Sequence, residues 1–254
     1  MAKIPTKEKT HAEMQEFVQS YYSKIKKDKK NRFNKTLSLI PKGNKKILDY
    51  GCGWGTYSHE LNNLGHDVIG IDLMDDLIKL CRTVWGENEH LKFSNKKIEE
   101  YPDQSFDMVL STQVIEHVHN VGNYLSGINR VLKPKGQLII SLPNVMNLRY
   151  FLPLLNPNHE KRIKEISKHY LNNYKQPNHH VNAWDAFHFT ILLASMGFKV
   201  CEYQVSEGLP LPGVKWLPSY LTGFFANLGI FKNFSYTMHF VCEKELDIQV
   251  KQFD

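Results

Sequence analysis

The feature that most constrains the fold is the segment Ile47–Ser58, ILDYGCGWGTYS, in which a short apolar run leads into three glycines at alternate positions. Glycine adopts backbone angles closed to other residues and lets a ligand come close to the main chain. A strand, a glycine-rich turn and a helix in that order are typical of α/β proteins that bind nucleotides. The spacing is not that of the dinucleotide motif G-x-G-x-x-G, because Thr56 stands in place of its third glycine and Asp49 brings a negative charge close to where a pyrophosphate would lie.

Strand-like and helix-like runs alternate after this turn. Apolar strands are predicted at Lys45–Tyr50, His66–Asp72, His90–Asn95, Ser105–Thr112 and Gln137–Pro143. The helices predicted between them are Thr56–Leu64, Asp75–Trp85 and Val121–Leu132. Repeated strand–helix units with apolar strands indicate a parallel sheet covered on both faces. The later elements, which predict an antiparallel pair at the sheet edge, are a helix at Trp184–Met196 and strands at Phe198–Ser206 and Ser235–Lys244.

The predicted architecture is therefore α/β, a Rossmann-like doubly wound seven-stranded sheet with an antiparallel last strand. Residues 1–44 are predicted to form an N-terminal helical cap, since Met14, Val18 and Tyr21 recur at helical spacing. Residues 45–254 form the predicted main domain. Within it, residues 145–180 are interpreted as a helical insertion after strand five. Residues 207–233, rich in aromatic residues and proline, are interpreted as a substrate-side loop region.

Charge and cysteine content narrow the class of protein. Residues 1–46 carry 13 Lys and Arg but 4 Asp and Glu, so the formal net charge of +6 comes from the head of the chain and the rest is nearly neutral. A dedicated nucleic-acid-binding domain would normally carry its basic surface on the working part. The 4 cysteines include no C-x-x-C pair, which argues against a disulfide framework or a thiolate zinc site. With no apolar signal segment at the N-terminus, a reducing cytoplasm is the expected location.

Five motifs in order make the chain similar to class I S-adenosylmethionine-dependent methyltransferases. Asp49–Gly55, DYGCGWG, resembles the first family motif, D-x-G-C-G-x-G, and Asp72 closes the run IGIDL 23 residues after Asp49. The runs SFDMVLSTQVIEHV and LKPKGQLIISLPN resemble the fourth- and fifth-strand motifs. The run HHVNAW resembles an E-H-x-N segment of small-molecule members, with His179 in place of the glutamate. The resemblance is to the small-molecule and ubiquinone-pathway O-methyltransferase type.

The resemblance implies S-adenosyl-L-methionine as the cofactor. Asp72 is expected to accept hydrogen bonds from the ribose hydroxyls, because a carboxylate can accept both at once. The family usually has an acidic residue after strand three, where this chain has Asn95, whose amide oxygen is the expected substitute. Arg32 is a candidate partner for the carboxylate of the cofactor. The predicted cofactor-binding residues are Asp49, Tyr50, Gly51, Cys52, Gly53, Gly55, Thr56, Asp72, Leu73, Met74, Asn95, Ile98 and Gln113.

Candidates for proton removal from the methyl acceptor follow strand four. Glu116, His117 and His180 are the predicted catalytic residues, because histidine titrates near neutral pH. In ubiquinone-pathway and small-RNA methyltransferases, the motif E-x-x-E-H at this place binds a divalent metal. Gln113 replaces the first glutamate here, so a site without metal is favoured and a divalent metal is the alternative. Of the other histidines, His188 is assigned to the core, and His159 and His169 are assigned to solvated surface.

The predicted function is methyl transfer from S-adenosylmethionine to a hydroxyl or amine of a small molecule, with a sugar or nucleotide-linked sugar as the first substrate class. A quinone-like phenol is the second class, since residues 209–231 offer aromatic side chains for an apolar pocket. RNA methylation and a catalytically inactive cofactor sensor are the alternatives. A small molecule is the expected partner and nucleic acid is not. Peripheral membrane contact and the oligomeric state stay open.

Overall fold

A computed structural model describes residues 11–147, 157–173, 179–207 and 233–248. The helices are α1 (His11–Lys27), α2 (Arg32–Leu37), α3 (Thr56–Asn63), α4 (Asp75–Trp85), α5 (Val121–Val131), α6 (His159–Asn172) and α7 (Ala186–Ser195). The strands are β1 (Lys46–Tyr50), β2 (Asp67–Ile71), β3 (Leu91–Ser94), β4 (Phe106–Thr112), β5 (Leu132–Pro143), β6 (Phe198–Ser206) and β7 (Thr237–Lys244). Single turns of 3-10 helix follow β3 and β4, at Ile98–Glu100 and Ile115–His117.

The strands described form one sheet in the order β3-β2-β1-β4-β5-β7-β6. Strands β1 to β5 pair in parallel, and β7 runs antiparallel to both β5 and β6, which confirms the predicted fold class. The strand order changes direction between β1 and β4. Strands β2 and β3 are added on one side of β1, and the chain then crosses over and adds β4 and the later strands on the other side. Ligands of such sheets bind outside the carboxyl ends of the strands at this point. The glycine turn after β1 and the segment after β4 therefore face the same crevice.

Apolar side chains on both faces of the sheet explain why every central strand is buried. Ile47 and Leu48 are adjacent in β1 and point to opposite faces. Ile47 belongs to the cluster under α3 and α4, which includes Phe93. Leu48 belongs to the cluster under α5 and α7, which includes Leu125 and Phe240. A strand buried on both sides needs continuous apolar sequence, which is the pattern of these strands.

Strand β5 is longer than predicted. The predicted turn at residues 133–136 lies within the strand as an irregularity, because Phe106 pairs with Leu132 whereas Met108 pairs with Gln137. Lys135 has φ 59° inside this bulge. In such a bulge the extra residues form no pairs with the neighbouring strand, and the pairing resumes after them. The predicted lysine- and glycine-rich turn therefore interrupts the pairing without ending the strand.

The first helix packs on the glycine turn and on α3. Tyr21 packs edge-on against Trp54, with the ring centroids 5.3 Å apart. Tyr22 donates a hydrogen bond to the largely buried carboxylate of Glu60, and Lys26 Nζ lies 2.9 Å from the same carboxylate. Burial alone would raise the pKa of Glu60, but the donors from Tyr22 and Lys26 outweigh it and hold the pKa below its usual value. Both tyrosines therefore pack the cap against the main domain.

The second helix is tied to the far strands through a buried histidine. Thr36 Oγ1 lies 3.2 Å from His239 Nδ1, and Ser206 Oγ lies 2.8 Å from His239 Nε2. Burial, with nearby Lys35 and Arg32, lowers the pKa of His239 to about 3. The ring is therefore neutral at physiological pH and acts as a bridge between α2, β6 and β7.

Two predicted regions are only partly described. Helix α6 lies in the predicted insertion at residues 145–180, whose residues 148–156 and 174–178 fall outside the described ranges. Most of the predicted substrate-side region, residues 208–232, also falls outside them. Within the described ranges, no helix combines the length and apolar character needed to cross a bilayer.

We expect Tyr22→Phe to lower the free energy of unfolding by about 1–2 kcal/mol at neutral pH, because it removes a donor from the largely buried Glu60 carboxylate. Urea denaturation measures the change. Asp76→Asn is the matched control, since Asp76 and Lys79 form a fully exposed pair 3.5 Å apart whose loss should cost less than about 0.5 kcal/mol. Equal stability of Tyr22→Phe and the wild type would contradict the packing role of the Tyr22 hydroxyl.

Candidate functional site

The turn after β1 closes tightly on its neighbours. Gly51, Gly53 and Gly55 have φ of 79°, 54° and 69°. A Cβ on Gly51 would lie 2.4 Å from Val114 Cγ2, and one on Gly55 would lie 2.9 Å from Phe93. By contrast, no atom of the described part of the chain lies within 4 Å of a Cβ placed on Gly53. The glycines at the two ends of the turn are thus required for packing, while the middle one leaves open space beside the main chain.

Asp72 lies directly beyond β2, next to the glycine turn. Its Oδ2 accepts a hydrogen bond from the Gly53 N–H at 3.1 Å, and its Oδ1 accepts one from the Met74 N–H at 3.0 Å. Each carboxylate oxygen keeps lone-pair capacity for a further donor. Leu73 is 73% exposed and Met74 is 47% exposed, so apolar side chains border the carboxylate. This arrangement suits a nucleoside, because the carboxylate can accept hydrogen bonds from two ribose hydroxyls and the apolar side chains can pack against a base.

Asp49 is buried beneath the turn. Ser58 Oγ donates to its Oδ2 at 2.6 Å. Burial, with a smaller contribution from the nearby charge of Asp72, raises the pKa of Asp49 to about 7, even though the Ser58 hydrogen bond lowers it. A cation bound over the turn would relieve this cost of ionisation. The Asp49 side chain is therefore almost fully buried, so its charge can act on a ligand only across the glycine turn.

The remaining residues predicted on this turn have different surroundings. Cys52 and Thr56 are buried, and the N–H groups of Gly51 and Cys52 both donate to the carbonyl oxygen of Ile71, at 2.8 and 2.9 Å. Tyr50 stacks on Tyr124 with ring centroids 4.6 Å apart. These side chains thus support the turn on its inner side. The part of the turn that a ligand can contact is its exposed main chain.

Asn95 and Ile98 follow the neighbouring strand. Ser94 pairs with Ile71, so Asn95 and Asp72 occupy matching positions one residue beyond the ladder. The Asn95 side chain is exposed, and its Nδ2 lies 2.6 Å from Asp75 Oδ1. Ile98 is buried in the core, where it supports the loop. The partner of Asn95, Asp75, was not among the predicted site residues, because helix-start acids are common and carry no signal of their own.

Gln113 has an uncommon backbone conformation at the end of β4. Its φ is 56°, a left-handed value that costs a non-glycine residue about 1–3 kcal/mol. Its N–H donates to the Ser141 carbonyl at 2.8 Å, and its Oε1 accepts from Arg32 Nη1 at 3.4 Å. Its Nε2 is buried and has no hydrogen-bond partner among the residues that the structure describes. At this strained position the side chain of Gln113 contacts Arg32 of the N-terminal cap, at the carboxyl end of β4.

The three predicted catalytic residues come together. Glu116, His117 and His180 each offer a ligand atom, and these atoms all lie within 4.8 Å of one another. Both carboxylate oxygens of Glu116 are buried and have no hydrogen-bond partner within the described ranges of the chain. Burial raises the pKa of Glu116 to about 7, while the positive charge of Arg32 acts against this rise. Near neutral pH such a carboxyl group is partly protonated and partly ionised, and its ionised form is stabilised by a nearby cation.

Backbone contacts hold this cluster in place. The N–H groups of Val181 and Asn182 donate to the Glu116 carbonyl at 2.8 and 3.2 Å, which joins the segment before α7 to the 3-10 turn after β4. His117 Nδ1 lies 3.0 Å from the His179 carbonyl oxygen. Because a carbonyl only accepts, Nδ1 carries the hydrogen and Nε2 of the neutral ring is left as an acceptor. Burial, and then His117, lowers the pKa of His180.

The donor set at this cluster fits a divalent cation. One carboxylate and two imidazoles within mutual reach are ligands that first-row transition ions accept, and no other residue that the structure describes bonds the Glu116 oxygens. The hydrogen bond from His117 to a backbone carbonyl is the arrangement by which metal-ligating histidines are usually oriented. The expected metal set contained Gln113 with Glu116 and His117. In the structure His180 completes the group, and Gln113 Oε1 accepts from Arg32.

The other histidines are placed as follows. His188 was predicted in the core, which is wrong: its side chain is 78% exposed and its Nδ1 lies 2.5 Å from Asp185 Oδ2. Phe189 and Leu193 fill the buried face of α7 instead. His159 and His169 are exposed, as predicted. A contact that the sequence did not indicate is the stacking of Tyr170 of α6 on His179, with ring centroids 4.4 Å apart.

Comparison with known proteins agrees with this geometry. Residues 48–140 match a protein family described as a methyltransferase domain. The human mitochondrial ubiquinone biosynthesis O-methyltransferase is 36% identical over 117 residues, which cover 43% of this chain and 32% of that protein. The ubiquinone biosynthesis O-methyltransferase of Bradyrhizobium diazoefficiens is 36% identical over 110 residues, which cover 42% of this chain and 43% of that protein. The matches thus span less than half of either relative.

Solved structures share the fold over most of the chain. A structure described as a methyltransferase from Bacillus halodurans superposes with a TM-score of 0.55 at 18% identity, covering 85% of this chain and 99% of that one. The Haloferax volcanii complex of the Trm112 methyltransferase activator with a methyltransferase gives a TM-score of 0.62 at 14% identity, covering 95% of this chain and 100% of the matched one. At these identities the likeness establishes the fold.

We expect the stability of the ligand-free protein to depend on Asp49. Its pKa of about 7 lies above the ordinary value of 3.8, so the folded state binds more protons than the unfolded state between these limits. Its contribution to stability therefore falls as the pH rises from about 4 to 7, by up to about 1.4 kcal/mol per pH unit. Asp49→Asn does not titrate and should gain stability relative to the wild type over this range. Denaturant unfolding at several pH values measures the difference, and a difference that stays flat would contradict the burial of an ionisable Asp49.

Proposed function

We propose that this chain, which belongs to the class I S-adenosylmethionine-dependent methyltransferase superfamily, methylates a phenolic hydroxyl of a small molecule. The observation that carries the proposal is the cluster of Glu116, His117 and His180 beside the glycine turn. A phenol needs a group that removes its proton before or during attack, and this cluster supplies three. The relatives named above are O-methyltransferases of ubiquinone biosynthesis, which favours the phenol over the sugar predicted first. Nothing in the comparisons supports the sugar.

The donor would lie across the carboxyl ends of β1 and β2. Asp72 would accept the ribose hydroxyls, Leu73 and Met74 would border the adenine, and the main chain around Gly53 would approach the ligand most closely. Arg32 has no carboxylate partner within 4 Å among the described residues, so its charge is available for the carboxylate of the donor. The buried Asp49 would favour the positive groups of the donor through the loop.

S-adenosylmethionine supplies a methyl group activated by a positively charged sulfur. The protein then has to align the acceptor oxygen, exclude water and take one proton. His117 Nε2 and the neutral His180 ring are free to accept the hydroxyl proton. Glu116, held nearby in a buried setting, would stabilise the resulting imidazolium. The proton leaves to solvent through these rings after the methyl ether has formed.

If a divalent cation takes part, Glu116, His117 and His180 would hold it. Such an ion would lower the pKa of a bound phenol, which is a second route to the same phenolate. The two routes use the same residues but differ in their response to chelation.

We expect Glu116→Gln and His180→Ala to lower kcat/KM about 100-fold or more, because each removes a group that handles the acceptor proton. Transfer of a labelled methyl group to a panel of catechols, other phenols and sugars measures activity, and calorimetry with S-adenosylhomocysteine measures donor binding. His188→Ala is the control, since that exposed histidine bonds only Asp185 among the described residues. Donor affinity should change less than about threefold in all three variants.

Full activity in both cluster variants, or transfer to sugars alone, would contradict the proposal. Rates that EDTA leaves unchanged would assign proton removal to the imidazoles by themselves. Rates lost on chelation and restored by added Mg²⁺, Mn²⁺ or Zn²⁺ would assign a cation to the cluster.

A further inference from the structure

The C-terminal end of α6 contacts the loop residue His179 in two ways. The rings of Tyr170 and His179 have their centroids 4.4 Å apart and are inclined at 47° to each other. His179 Nε2 also lies 2.8 Å from the carbonyl oxygen of Asn173, the residue that directly follows the helix. Because a carbonyl only accepts, Nε2 carries the hydrogen of this bond. The His179 ring is therefore held by one side chain and one backbone group at the end of α6.

The ring contact is not part of the hydrophobic core. No residue of α6 is buried, and Tyr170 itself is 41% exposed. An aromatic pair at the surface adds little to the stability of a domain that buries two large apolar clusters. What the contact does fix is the position of His179, and with it the chain that leads into the proposed acceptor site.

His179 contacts that site through its main chain. Its carbonyl oxygen lies 3.0 Å from His117 Nδ1. The nitrogen that bonds a carbonyl keeps the hydrogen of a neutral imidazole, so this bond leaves the lone pair on Nε2. A His117 ring that loses the bond can carry its hydrogen on Nε2 instead, and Nε2 then has no lone pair for a hydroxyl proton or a cation. The direction of one carbonyl group thus decides which nitrogen of His117 can accept.

Contacts on two sides set the direction of that carbonyl. On the C-terminal side, the N–H groups of Val181 and Asn182 donate to the Glu116 carbonyl at 2.8 and 3.2 Å. On the N-terminal side, the ring contacts with the end of α6 restrain His179. When the second set is removed, the peptide group between His179 and His180 can turn while the first set stays intact.

We propose that Tyr170 is a positioning residue for methyl transfer: by packing on the His179 ring it holds the His179 carbonyl against His117 Nδ1, and so keeps His117 Nε2 as the acceptor. The inference rests on the proposed function, because it gives His117 a part in taking the acceptor proton or in binding a cation. It goes further in assigning a role to the inserted helix α6, which contributes no residue to the cluster itself. Tyr170 acts only through these two histidines.

The first test observes the His117 ring directly, by nitrogen NMR of the full chain labelled with ¹⁵N in its histidine side chains. His117→Gln identifies the His117 signals by removing them. At about pH 8.5, where an ordinary histidine ring is neutral, the wild type should carry the hydrogen on Nδ1. Tyr170→Ala keeps a helix-favouring residue in α6. It should shift the ratio of the two tautomers toward Nε2–H about twofold or more, the lower end of what an aromatic pair supplies.

The second test compares rates in two backgrounds. Tyr170→Ala should lower kcat about three- to tenfold, the range that the loss of an aromatic pair allows, and should leave the affinity for S-adenosylhomocysteine unchanged. Tyr170→Phe keeps the ring and should stay within about twofold of the wild type. In a His117→Ala background, Tyr170→Ala should cost less than about twofold, because the residue through which it acts is gone. A merely structural effect of Tyr170 would lower the rate by the same factor in both backgrounds.

Leu171→Ala is the matched control, since Leu171 is the next residue of the same helix and is 70% exposed. It should match the wild type in both tests. An unchanged His117 tautomer in Tyr170→Ala, equal rate losses in the two backgrounds, or full activity of His117→Ala would each overturn the inference. Any of these results leaves the proposed function standing on Glu116 and His180. If the wild type transfers no methyl group to any phenol, the proposed function fails, and the NMR comparison still decides whether Tyr170 sets the His117 tautomer.

Discussion

Two N–H groups, those of Gly51 and Cys52, share one acceptor, the carbonyl oxygen of Ile71. This pair of hydrogen bonds folds the turn after β1 back onto the end of β2. It brings the Gly53 N–H within hydrogen-bond distance of the Asp72 carboxylate. It also packs Gly51 so closely against Val114, which follows β4, that no side chain fits at Gly51. The ends of the three central strands are therefore fixed relative to each other by main-chain contacts that require glycine. Asp72 and the segment that leads into the cluster of Glu116, His117 and His180 both contact this turn, so the proposed donor and acceptor sites both depend on it.

A second constraint is the burial of carboxyl groups around that turn. Asp49 and Glu116 both have a pKa raised to about 7 by burial. Asp49 has one hydroxyl partner, and the Glu116 oxygens have none in the described part of the chain. Unpaired buried charge is expensive, and such groups concentrate where a protein binds or transforms a charged ligand.

Much of the fold follows from local patterns in the sequence. The bounds of α4 and β6 agree with the prediction to the residue. Helix α4 has a clear helical period between an acidic start and Gly86, and β6 mostly alternates apolar and polar residues between Gly197 and the loop after Ser206. His188 was misplaced for a physical reason: α7 is apolar on almost every side, with Phe187 and Ile191 exposed and Phe189 buried, so periodicity could not identify the inner face. The Asp75–Asn95 bond and the His117–His179 contact depend on chain segments brought together by the sheet. No local pattern could have indicated them.

The central claim is that the glycine turn and Asp72 bind an adenosyl donor. The most direct measurement is calorimetric titration of the wild type and of Asp72→Ala with S-adenosylhomocysteine. The account predicts saturable one-to-one binding to the wild type, weakened at least about tenfold in the variant because the ribose hydroxyls lose their acceptor. No binding to the wild type, or equal affinity of the two proteins, would contradict it.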